Sequence, residues 1–232
     1  MIEDVIAQKL NRFNVDKLNI LDIGCHDGCA RRKLEPLLKI SSFWIGFDPC
    51  DYGRVPNYNQ YFKIAVDNVK IKTQQSFTEC LTDSGTNSLL ELNFDCLTHN
   101  IEEYDKKWYV FPHIEEKLNT SVVTVDSAFN LLKSIDFSGH IHFVKVDVQG
   151  KDIAAVKSLE THLNQTYFIQ IETVMTHDKN RTLYKGQSIF EEDKIEMEKI
   201  GFKILYIEDY SVGRNAPPEA DVLFYNTNLI SL

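Results

Sequence analysis

The stretch "KLNILDIGCHDG", Lys17–Gly28, begins as an apolar run and ends on Asp22, Gly24 and Gly28. A short run of this kind, closed by a glycine turn, reads as a buried strand. "CARRKLEPLLKI" follows as a helix candidate, with Pro36 a weak point inside it. Strand, glycine turn and helix form the opening unit of an open α/β sheet, where ligands sit beyond the carboxyl ends of the strands. Gly24 and Gly28 allow a tight turn and a close approach to a ligand, and the helix start presents free N–H groups.

The rest of the chain continues the pattern. "EDVIAQKLNRF" places Val5, Ile6, Leu10 and Phe13 at helical spacing. "SFWIGFD", "QYFKIAV", "HIHFVKVDV" and "TYFIQIE" read as strands two to five, and "DIAAVKSLETHL" as a helix between the last two. "FEEDKIEMEKIG" reads as a helix stopped at Gly201, and "FKILYIE" and "ADVLFYN" as strands six and seven. The last two strands, joined by "DYSVGRNAPPEA" without a helix, are expected to be antiparallel. The predicted fold is a Rossmann-like, mostly parallel seven-stranded sheet with helices on both faces, in a single domain over 1–232. The interval from strand three to strand four is too long for one crossover, so 67–125 contains an insertion. Its Phe77, Phe94, Tyr104, Trp108, Tyr109 and Phe111 suit a satellite core, a substrate-covering wall or a contact that makes a homo-oligomer.

Composition narrows the function. The chain has 232 residues and a net charge of −9, which on average repels a long polyanion and disfavours nucleic acid. No stretch is long and apolar enough for a membrane span. The start lacks a secretory pattern, and the five cysteines are odd in number and scattered, so a cytoplasmic setting is expected. Cys25 and Cys29 lack a second pair at zinc spacing, and no metal site is predicted from them. The three N-x-S/T sequences, at Asn119, Asn164 and Asn180, are expected to be chance.

The strand ends carry the chemistry. The first loop is not a dinucleotide fingerprint, because His26 holds the middle glycine position and no third glycine follows. Asp22 near a pyrophosphate is unfavourable, whereas near an ammonium it is favourable. S-adenosylmethionine carries an ammonium and a sulfonium and no phosphate. Asp48, in "IGFDPC", lies about 20 residues past Gly28, the offset at which an acid meets ribose hydroxyls. Pro49 fixes the exit of that strand. Val66 and Asp67 end the third strand on the expected adenine side. On the fourth strand Phe143, Lys145 and Asp147 share a face. Asp147 is the candidate base, Lys145 its partner or a donor to the acceptor, Glu172 a binder of acceptor hydroxyls, and His177 a further candidate in the loop after strand five. Asp147 and Glu172 also suit a shared Mg²⁺.

The ordered set "ILDIGCHDG", "IGFDPC", "VVTVDSAFNLL", "FVKVDVQGKDIAAVKSLE", "YFIQIE" and "DVLFYN" resembles FkbM-type S-adenosylmethionine-dependent methyltransferases from about Leu18 to Asn226. "KVDVQGKD" looks like that family's K-x-D-x-E-G-x-E signature, and "SGTNSLLEL" resembles a Ser-rich element there, with Ser88 at the matching place. The resemblance implies a methyltransferase sheet with its last strand antiparallel. It also implies O-methylation of a hydroxyl, commonly on a sugar, glycan or natural product. It places Asp22, Gly24, His26 and Gly28 in the cofactor loop and Asp48 at the ribose; Cys25, within that loop, is a further cofactor-binding candidate. The chain departs from it at His26, where Asn is usual, and at Gln149 and Asp152, where Glu is usual. Two other readings are a nicotinamide oxidoreductase and a non-catalytic, cofactor-binding partner subunit.

Overall fold

A computed structural model of the chain describes residues 1–50, 57–80, 84–93, 118–209 and 219–230. Phe94, Tyr104, Trp108, Tyr109 and Phe111, and the middle of the last connection, lie outside the described residues. The strands are β1 (Lys17–Ile23), β2 (Ser41–Phe47), β3 (Gln60–Phe62), β4 (Ala65–Val66), β5 (Thr73–Cys80), β6 (Leu118–Asp126), β7 (Ile141–Val146), β8 (Thr166–Val174), β9 (Phe202–Asp209) and β10 (Glu219–Asn226). The α-helices are α1 (Ile2–Leu10), α2 (Cys29–Leu34), α3 (Ala128–Ser134), α4 (Asp152–Lys157) and α5 (Phe190–Lys199).

Seven strands form one sheet in the order β3-β2-β1-β7-β8-β10-β9. β3, β2, β1, β7 and β8 are mutually parallel, and β10 runs antiparallel to both its neighbours. This is the predicted Rossmann-like, mostly parallel seven-stranded sheet. Its order reverses between β1 and β7, the kind of switch point that opens a crevice at the carboxyl edge.

Alternation along each strand builds two cores. Leu18, Ile20, Trp44, Phe143, Phe168 and Leu223 face Ile2, Ile6 and Leu10 of α1 and Leu34 of α2. Leu21, Ile23, Phe47, Val144, Val146, Ile169 and Val222 face Leu131 and Leu132 of α3, Val156 of α4 and Met197 of α5. A sheet covered on both faces explains why its strands read as continuous apolar runs. α1 stops at Leu10, so Phe13 lies past its end and packs edge-on against His142 and Tyr167. α2 ends before Pro36, where the chain tightens into a 3-10 turn over Glu35–Leu37.

Two sequence readings change. "QYFKIAV" is two strands, because the Ile64 N–H bonds back to the Phe62 carbonyl at 2.9 Å and turns the chain out of the main sheet. Beyond it, β4, β6 and β5 make a second, three-stranded sheet. β5 and β6 were unexpected: much of each is solvent-facing, so their sequences carry little apolar signal.

Candidate active site

A cleft of about 480 Å³ opens along the carboxyl edge of the main sheet. Gly24, Cys25 and His26 bring the first loop to it, Asp48 and Pro49 the end of β2, and Ile64, Val66 and Phe77 an apolar wall. Lys145, Asp147 and Gln149 from β7 and its exit, Gln170 and Glu172 from β8, and Glu219 and Asp221 from β10 form the other side. Strand register explains that grouping: Lys145 lies opposite both Asp22 and Gln170, and Glu172 opposite Asp221.

The first loop is held from two directions. The Gly24 and Cys25 N–H groups donate to the Phe47 carbonyl at 2.8 and 3.1 Å. Gly24 has φ +76°, and a Cβ there would lie 1.8 Å from the Asp147 carbonyl oxygen, so only glycine fits. His26, at φ +46°, donates its backbone N–H to Asp48 Oδ2 at 2.8 Å, and the Cys50 N–H donates to Asp48 Oδ1 at 2.9 Å. Asp48 therefore ties the glycine loop to the exit of β2. Gly28, at φ +79°, is the residue from which α2 starts.

Asp22 departs from expectation. It is fully buried and is absent from the cleft lining. Its Oδ2 accepts the Tyr58 hydroxyl at 2.5 Å, while its Oδ1 has no hydrogen-bond partner. Burial outweighs the nearby Lys145 charge and the Tyr58 hydrogen bond and raises the Asp22 carboxyl above its ordinary range. Asp22 lies beneath the cleft rather than in it. Tyr58, which the sequence reading missed, reaches Asp22 by stacking across Gly46, where a Cβ would stand 2.9 Å from its ring.

At the exit of β7, Lys145 Nζ is 2.9 Å from Asp147 Oδ2. The Gln149 side-chain amide donates to Asp147 Oδ1 at 2.8 Å and to Glu172 Oε2 at 3.0 Å. Burial alone would raise Asp147, but the Lys145 ammonium and the two hydrogen bonds offset it and hold the carboxyl below its usual range. Burial lifts Glu172 well above its usual range, and the charges of Asp147, Glu219 and Asp221 add to the rise. Two neighbouring carboxyls with opposite shifts are the arrangement expected where one group takes a proton and the other does not. Asp152 accepts from the Val148 and Gly150 N–H groups at 3.4 and 3.2 Å and so shapes the turn. Ser88 of the Ser-rich element donates to the Gln149 carbonyl at 2.7 Å.

Besides Asp22 and Gly28, which do not line the cleft, two more expected site residues stand elsewhere. Asp67 is buried outside the cleft lining and is engaged by Lys151 Nζ at 3.1 Å, because the chain has already left the main sheet there. His177 is exposed and lies outside the lining; the loop after β8 brings Tyr184, not His177, to Gln149. As for a shared Mg²⁺, the Gln149 amide bridges Asp147 and Glu172 at the place a common cation would take. Among the described residues no group of three or more His, Cys, Asp or Glu forms a metal-binding cluster.

No protein-family model matches the chain, and no curated protein matches it, so the resemblance to FkbM-type enzymes rests on the quoted motifs alone. Among solved structures the chain is similar to the magnesium protoporphyrin IX methyltransferase of Synechocystis PCC 6803 with bound SAM, at 11% identity over 97% of this chain and 78% of that one, TM-score 0.46. It is similar to the N-methyltransferase NodS of Bradyrhizobium japonicum WM9, at 8% identity over 97% and 94%, TM-score 0.44. It is also similar to the 1,6-didemethyltoxoflavin-N1-methyltransferase of Burkholderia thailandensis with bound S-adenosylhomocysteine, at 7% identity over 97% and 78%, TM-score 0.42. Likeness of this degree adds nothing to the strand order, which stands on the pairing itself.

Proposed function

We propose that the cleft binds S-adenosylmethionine and that the chain is an S-adenosylmethionine-dependent O-methyltransferase acting on a hydroxyl of a sugar, glycan or related acceptor. The observation that carries the cofactor assignment is the charge of the cleft. Among the described residues, six acidic side chains line it (Glu3, Asp48, Asp147, Glu172, Glu219 and Asp221) against two lysines, Lys33 and Lys145. Lys145 is paired with Asp147, and Lys33 lies 3.6 Å from Glu3. Such a cleft repels a pyrophosphate and attracts an ammonium and a sulfonium. That weighs against a nicotinamide dinucleotide.

The residues fit the nucleoside half as well. The Gly24–His26 backbone, the Asp48 carboxylate, and the wall of Ile64, Val66 and Phe77 all line the cleft. A loop, a hydroxyl acceptor and an apolar slot suit an amino-acid chain, a ribose and a base, respectively. When bound, S-adenosylmethionine supplies an electrophilic methyl group on a sulfur that leaves as a neutral thioether.

The protein's own task is to hold an acceptor oxygen in line and take its proton. Asp147 fits the base by position, since it lines the cleft beside Lys145 at the end of β7. Glu172 and Gln170 line the same side of the cleft and suit acceptor hydroxyls. This set of side chains and the resemblance stated above support the reading of a polyhydroxylated acceptor.

Calorimetric titration tests the cofactor assignment. S-adenosylmethionine and S-adenosylhomocysteine are expected to bind at one site per chain, and NAD to bind far more weakly. NAD binding tightly while S-adenosylmethionine does not would overturn the proposal in favour of an oxidoreductase. A partner subunit would bind the cofactor yet transfer no methyl group to any acceptor.

A further inference from the structure

Gln149 gathers more of the site than any other side chain in its turn. Its amide N–H groups reach Asp147 and Glu172, and its Oε1 lies 3.0 Å from the hydroxyl of the fully buried Tyr184. Its backbone carbonyl accepts from Ser88. The end of β7, the end of β8, the loop after β8 and the Ser-rich segment thus meet on one residue. Its φ is +55°, a left-handed conformation that a residue with a side chain keeps only where its surroundings hold it.

The chemistry of an amide makes the arrangement directional. Asp147, held ionised, only accepts hydrogen bonds, so the N–H edge of Gln149 faces it, with Glu172 on the same edge, and the oxygen faces Tyr184. A glutamate at this position has the same shape but no donor to offer. A leucine or methionine has neither donor nor acceptor.

We propose that Gln149 is a positioning residue: its amide spaces and orients the Asp147 and Glu172 carboxyl groups so that Asp147 serves as the base and Glu172 as the hydroxyl-binding partner. The assignment of those two roles rests on the methyl-transfer reading; the coupling of the two carboxyls through Gln149 does not. The opposite shifts of the pair agree with it. The other charged groups facing the pair are Lys145 on β7, Asp22 and His26 at the β1 end, Asp152 at the start of α4, and Glu219 and Asp221 on β10.

The test reads the carboxyls themselves. Carbon-13 labels on the aspartate and glutamate carboxyls are followed by NMR through a pH titration, with Asp147→Asn and Glu172→Gln giving the assignments. In Gln149→Met the proton affinity of Asp147 is expected to rise about tenfold, because the amide donor that stabilises its charge is lost. The acid limb of methyl transfer should move to higher pH by the same factor. Gln149→Glu, equal in shape, should raise it further and repeats the test where the methionine variant folds poorly. Unchanged carboxyl titrations in both variants, with only a lower melting temperature, would show Gln149 to be structural and overturn the proposal. The titration decides this without any acceptor, so absence of methyl transfer by the unaltered protein would count against the proposed function alone.

Discussion

At the residue scale, two positions, Asp147 and Gly24, decide what the cleft can do. Asp147 is expected to be the base, so Asp147→Asn should lower turnover by about a hundredfold or more, a larger factor than the loss of S-adenosylmethionine affinity that follows from removing one acidic charge from the cleft. Single-turnover assays beside calorimetry separate the two. Gly24→Ala should instead harm everything at once. Its Cβ would collide with the Asp147 carbonyl, and its φ is one that alanine resists. A loss of several kcal/mol is expected, seen as a large drop in melting temperature together with loss of cofactor binding. These residues were legible because each sits in a contiguous strand end, where a glycine or an acid after an apolar run has a known place. Tyr58, Tyr184, Gln170, Glu219 and Asp221 were not. Tyr58 and Tyr184 arrive from loops, Glu219 and Asp221 join through the β8–β10 pairing, and Gln170 shares a strand face with Glu172 but carries no charge to mark it. Asp221 was within reach in principle, since an antiparallel β8–β10 pairing sets "DVLFYN" against "YFIQIE". Asp67 and His177 were misplaced for the converse reason: both follow a strand in sequence, but the chain has turned away from the cleft.

At the element scale, the main-sheet strands β1, β2, β7, β8, β9 and β10 were readable because burial on both faces, or alternation on one, leaves runs of apolar residues. β5 and β6 were not, because their exposed faces erase that signal. The packing of α5 on β8 contains a testable cost. Asp193 is 2% exposed, accepts from Thr173 at 2.5 Å, and leaves Oδ1 without a hydrogen bond. Burial pushes its carboxyl up from 3.8 to about 6. A raised folded-state value means the folded protein holds the proton more tightly than the unfolded chain. Stability from this group is therefore full at pH below about 4 and falls as pH rises through about 6. The total is about 3 kcal/mol. Asp193→Asn should remove that fall. Denaturant melts at pH 8 should show the variant more stable by about 1–3 kcal/mol, and the gain should vanish near pH 4. A gain that is constant across pH would mean that Asp193 is not protonated in the fold.

At the scale of the whole molecule, a chain of net charge −9 concentrates carboxylates at the switch point of its sheet. The field there favours cationic ligands, and salt screens it. S-adenosylmethionine should therefore bind several-fold more weakly as ionic strength rises from about 0.05 to 0.5 M, and the neutral thioether product should lose less. Equal salt dependence of the two would mean that the cleft's charge does not select the sulfonium. The central claim is that this cleft moves a methyl group to a hydroxyl oxygen with Asp147 taking the proton. The most direct measurement incubates the protein and its Asp147→Asn variant with methyl-labelled S-adenosylmethionine and a panel of sugars and polysaccharides. The account predicts label in a methyl ether with the unaltered protein and about a hundredfold less with the variant. Label transferred equally by both proteins, or found only on nitrogen, would contradict it.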